Sequence, residues 1–158
     1  MSGCGYARLV RIPHHSKHWG YDPPHLLRDE YMAGTAKRVI TPPDASAWLA
    51  GFNFNRPAVG IHDDLEARAL AISDGSGQIY IFVTADIIGM FHDDVIKLRG
   101  KIHIPGAQIF VLSSHNHQGP DTMGLLGPGI RKQHFKLPLG SGSDENYIDW
   151  MIEMMSQA

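Results

Sequence analysis

The chain has 158 residues, enough for one domain with a real core, and a composition ordinary for a globular protein at 43% hydrophobic and 19% charged. A formal charge of −2, with basic residues scattered along the chain, gives no basic face and so argues against a nucleic-acid partner. No apolar run approaches the 18 residues needed to span a membrane, and a single cysteine, Cys4, excludes an intrachain disulfide.

Residues 1–33 read as an irregular arm with few periodic apolar positions, and the body of the protein as residues 34–158. Four of the ten histidines, His14, His15, His18 and His25, fall in this arm among Pro and Gly, and a solvated tail explains them. The opening "MSGC" resembles the end of a bacterial lipoprotein signal, without the apolar segment that should precede it. Two readings stay open for Cys4: a lipid anchor, if the natural chain begins upstream, or a plain surface thiol.

From Thr35 to Ile40 the pattern predicts a short strand, stopped by Pro42-Pro43, which cannot donate to a ladder. The stretch "DASAWLAGFNFNRPAVG" reads as a mobile or irregular loop carrying Trp48, Phe52 and Phe54. "LEARALAIS" then alternates, with Leu65, Ala67, Ala69 and Ala71 on one face. "QIYIFVTAD" is β-branched and aromatic, as in a strand covered on both faces. Asp74-Gly75-Ser76-Gly77 between them predicts a hairpin turn.

"HDDVIKLRGKI" predicts a helix, with Val95, Ile96 and Leu98 at helical spacing and Asp93 and Asp94 at the end that favours carboxylates. "AQIFVLSS" reads as another buried strand, so strand, helix and strand make a parallel crossover. After a glycine-rich loop, Gly119 to Gly142, the last element is a helix. Ser143 is its expected N-cap, and Tyr147, Ile148, Met151, Ile152 and Met155 form an apolar stripe that needs a partner surface. The expected fold class is α/β or α+β: a mixed sheet with flanking helices, forming an incomplete part of a larger catalytic domain.

Chemistry concentrates in "VLSSHNHQGPDT", where a strand ends on two histidines one residue apart. In extended backbone, residues two apart point to the same side, so His115 and His117 can face one metal ion from a strand end. Loop ends of strands carry most active sites in α/β folds. Two surface histidines beside a turn also need no purpose, and spacing alone leaves both readings open. Known His-x-His patterns fit poorly. A metallo-β-lactamase would have Asp where Gly119 stands, and barrel amidohydrolases place the pair on their first strand.

The ordered segments "ITPP", "AGF", "GIHDDLEARAL", "VTADIIGMF" and "SSHNHQGPDT" resemble the N-terminal catalytic domain of neutral/alkaline, non-lysosomal ceramidases and their bacterial relatives, from about Gly34 onward. The resemblance implies a zinc-dependent amidohydrolase that cleaves the N-acyl bond of ceramide to fatty acid and sphingosine. It implies that His115 is a Zn2+ ligand and that His117 is catalytic, contacting substrate or stabilising developing charge. His62 would border the site, and Asp86 would orient a ligand histidine from behind. Gln118 stands where the family has Ser, which puts local contacts and substrate choice in question. The family's other zinc ligands and its catalytic Ser would lie beyond residue 158.

The resemblance further implies a lipid amide substrate, contact with a membrane surface, and a secreted or periplasmic location. Trp48, Phe52, Phe54, Leu125 and Leu126 could line an apolar groove for an acyl chain. Two alternatives remain at this point. One is a ceramidase-like domain with a binding or structural role only. The other is a self-contained metal site built from His62, His115, His117 and an Asp.

Overall fold

A computed structural model describes residues 31–43, 47–73, 76–127 and 145–158. Strand β1 spans Met32–Val39, β2 Glu66–Ser73, β3 Ile79–Ala85 and β4 Gln108–Ser113; helix α1 spans His92–Lys101 and α2 Glu145–Ser156. The strands form one sheet in the order β1-β2-β3-β4, antiparallel except for the parallel β3–β4 pair. This is a mixed-sheet α/β fold. Strand β1 begins three residues earlier than expected and ends before Ile40. Ile40 is instead fully buried, its amide donating to the Leu65 carbonyl at 2.8 Å.

The alternation expected of β2 is realised. Ala67, Ala69 and Ala71 pair across with Ala85, Val83 and Ile81 of β3, and paired residues share a face. That face also carries Ile109 and Val111 of β4, and its small residues let the helices approach closely. Leu98 of α1 and Tyr147, Ile148, Met151, Ile152 and Met155 of α2 complete one apolar cluster on it. The stripe of α2 has therefore found its partner surface. Ile96, grouped with this set by spacing, lies half exposed instead. Buried within the cluster, the Tyr147 hydroxyl donates to the Ile40 carbonyl at 2.7 Å, and burial pushes the phenol well above its ordinary range. The proposed N-cap Ser143 and the turn residues Asp74 and Gly75 lie outside the described residues; Gly77 takes the positive φ of 96° that such a turn needs.

The opposite face corrects an expectation. Strands β3 and β4 are apolar on both sides, which suggested double coverage. Among the described residues only one side is covered. Leu70, Phe82 and Phe110 line up across β2, β3 and β4 on the other side, with the two phenyl rings stacked at 5.0 Å. Leu70, Phe110 and Leu112 are exposed there.

Candidate functional site

Strands β3 and β4 run parallel, so their carboxyl ends open side by side, with Ala85 opposite Ser113. Such ends are where α/β sheets place their sites. Pairing continues past both strands: Ser114 N–H donates to Ala85 at 3.0 Å and Asn116 N–H to Ile87 at 3.1 Å. Thr122 Oγ1 then donates to the Gly89 carbonyl at 2.6 Å. The chain leaving β3 and the chain leaving β4 are thus zipped together over the histidine stretch.

The two histidines do come together, though not as extended backbone would bring them. Strand β4 stops at Ser113, and His115 adopts φ 60°, the left-handed region. The chain turns there, and the rings meet edge to face with centroids 4.7 Å apart and planes at 84°. His115 is exposed to solvent and His117 half-buried.

Each ring is held from behind. His115 Nδ1 lies 2.9 Å from the Ile88 carbonyl oxygen, and His117 Nδ1 lies 2.7 Å from that of Ala50. A carbonyl oxygen can only accept, so Nδ1 must carry the proton in both rings, and in the neutral imidazole Nε2 keeps its lone pair. This is how protein frameworks present histidine to a metal. Two imidazoles on one zinc, with N–Zn about 2.0–2.1 Å, place their ring centres roughly 5 Å apart. The observed spacing fits. Among the described residues, however, no third His, Cys, Asp or Glu joins them. A self-contained site from His62, His115, His117 and an Asp is therefore not assembled there.

His62 and Asp86 are found in one place. Both line an open cleft of about 720 Å3 together with Asn116 and Gln118, the residues that alternate with the histidines. His62 is highly exposed, with Nδ1 2.6 Å from the Asp63 carboxylate. Asp86 accepts from the Glu66 amide and from Arg68, both at 3.1 Å, rather than from a histidine. Among the described residues, His115 and His117 are held by backbone carbonyls and Asp86 holds neither ring.

Sequence reasoning missed the device that holds His117. Residues 47–58, expected to be an irregular loop, run as a narrow antiparallel excursion. Leu49 N–H donates to Arg56 and Ala58 N–H to Ala47, each at 2.8 Å. It is fastened to the histidine segment by Ala50 N–H on Gly119, Asp121 N–H on Trp48 and Asn55 N–H on Leu126. Ala50 therefore supplies the carbonyl, and Phe52 stacks on the His117 ring at 4.5 Å while remaining 80% exposed. "Ala-Gly-Phe" was visible as a segment, but nothing in one sequence ties it to a histidine 67 positions away. The far end is closed by buried Asp121, whose Oδ2 accepts the amides of Leu126 and Gly127.

The sequence matches no protein-family model and no curated protein. In structure, the chain is similar to neutral ceramidase from Pseudomonas aeruginosa, with a TM-score of 0.63 and 24% sequence identity. The match covers 80% of this chain and 20% of that one, so the chain spans about a fifth of that protein's length. At this identity the likeness is one of fold: the mixed sheet and its helices are arranged as in part of a neutral ceramidase.

Proposed function

We propose that this chain contributes the histidine pair of a metal-dependent hydrolase acting on linear lipid amides of the ceramide type. One observation carries the reading: two adjoining imidazoles, each with Nδ1–H committed to a backbone carbonyl and Nε2 left as a lone pair. The fold likeness to a neutral ceramidase supports the reaction class.

His115 would hold the ion through Nε2, with the remaining ligands supplied from outside the described residues, and His117 would keep its own Nε2 lone pair free beside it. A bound zinc supplies a polarised carbonyl and water acidified towards a pKa of about 7. In the tautomer set by Ala50, His117 Nε2 accepts a proton; it can steady an oxyanion only once it has taken that proton up. The carbonyls of Ile88 and Ala50 keep both rings from rotating, and the Phe52 ring shields one face of His117 from water.

The test uses the full-length protein. Wild type should retain zinc through dialysis and cleave N-acylsphingosine in a chelator-sensitive way. His115→Ala should lose bound zinc while keeping a wild-type circular-dichroism spectrum. Full zinc retention and activity in His115→Ala would overturn the assignment. A wild type that folds but holds no metal and cleaves nothing would point to a binding or structural domain.

A further inference from the structure

Arg56 carries a positive charge that no carboxylate among the described residues answers. Lys37, Arg68, Lys97 and Lys101 each sit against an Asp or Glu. Arg56, half-buried on the cleft wall, instead donates through Nη2 to the neutral side-chain oxygen of Gln118. Its guanidinium rests over Gly51, where a methyl group would overlap it, the position of that carbon lying 2.9 Å from Cζ. A glycine backbone and a side-chain amide thus set the position of a planar group with five donors, and the amide engages only one nitrogen.

The acids of the same cleft are otherwise occupied. Asp86 pairs with Arg68, Asp63 with His62, and Asp64 accepts the Thr41 hydroxyl at 2.8 Å. The lining of the cleft also includes the apolar residues Leu49, Pro57, Val59, Ile61, Leu65 and Pro120. A guanidinium set in such a lining matches a molecule with a hydrocarbon chain and a carboxylate, which its fork can grip with two parallel hydrogen bonds.

We infer that the cleft is a binding site for N-acyl amino acids, the guanidinium of Arg56 taking the free carboxylate; His115 and His117 are not among the residues that line it. The bond to be cut rests on the hydrolase reading above; the binding preference does not. Hydrolysis would break the amide C–N bond and form a C–O bond from water. It would release a fatty acid carboxylate and an amino acid whose nitrogen takes both protons of the water and leaves as the ammonium.

N-dodecanoylglycine and its uncharged counterpart N-dodecanoylglycinamide serve as probes, titrated calorimetrically into the full-length protein and assayed for cleavage. Wild type should bind the acid about tenfold more tightly or better, as expected of a charge-assisted contact. Arg56→Gln should erase the difference, and Arg56→Lys, a point charge without the fork, should keep part of it. Gly51→Ala, which only has to push aside the flexible end of Arg56, should weaken acid binding and leave the amide unchanged. Equal binding of the two probes by wild type, no binding of either, or a preference that survives in Arg56→Gln would overturn the inference. An acid preference with no cleavage of either compound would leave Arg56 as the carboxylate-binding residue of the cleft and remove N-acyl amino acids as substrates, while the hydrolase reading stands or falls on N-acylsphingosine.

Discussion

The helix-covered face of the sheet and the histidine turn are built on different terms. The first is apolar packing: Ala67, Val83, Ala85, Leu98, Met151 and Ile152 are almost wholly removed from water and depend on one another only through contact. The second contains little apolar burial and is held by named hydrogen bonds between distant parts of the chain, His115 to Ile88 and His117 to Ala50. The core should therefore respond to volume and the turn to single polar or aromatic contacts. Stability and site geometry should be separable by mutation.

The sharpest way to break that separation is Met151→Ala. Removing a fully buried side chain from the centre of α2 should cost about 2–5 kcal/mol in chemical denaturation. A cost under about 0.5 kcal/mol would mean that α2 does not seat on the sheet as described. Tyr147→Phe keeps the volume and removes one buried hydrogen bond, leaving the Ile40 carbonyl without its donor, for a loss of about 1–3 kcal/mol. The same phenol has a sign in pH. Its raised value in the fold means that its contribution is fully present below the ordinary tyrosine pKa of about 10 and is lost as pH rises beyond that. Tyr147→Phe should abolish that part of the alkaline loss.

On the histidine side the expected stability effects are smaller. Phe52→Ala removes an 80% exposed ring and should change stability by less than about 0.5 kcal/mol. It should still move the His117 ring-proton resonances, because the stacked phenyl at 4.5 Å is gone. Unmoved resonances would show that the two rings do not stack in solution. The smallest effect belongs to Lys37→Met. The hydrogen bond from Lys37 holds the Glu66 carboxyl below its ordinary value. That contribution is present above the unfolded carboxylate pKa of about 4.3 and fades as pH falls through the lower folded value. The variant should flatten the stability curve in that acid window only, and high salt should do the same to wild type.

The same contrast explains what one sequence reveals. The alternation in β2, the hairpin to β3 and the stripe of α2 are periodic over a few residues, and periodicity follows from local geometry. The crossover through α1 to a parallel β4 was readable for the same reason. The bare face of Leu70, Phe82 and Phe110 was not, because composition reports that a side chain is apolar and not whether anything lies over it. The histidine pair was legible as a pair but for a reason that does not hold: its proximity comes from a turn at residue 115. The carbonyls that fix its tautomers come from Ile88 and Ala50, 27 and 67 positions away. Gln118 was visible as a departure from the family pattern; its partner Arg56 was invisible without the fold.

The positive φ at His115 filters which amino acids this position can accept. Left-handed backbone disfavours β-branched and bulky residues, while Asn, Asp and His enter it several times more readily than most. An exchange of donor atoms at that point is thus cheap for a carboxylate or an amide and strained for valine or isoleucine. The bend in the chain narrows the chemistry on offer before any ion or substrate arrives.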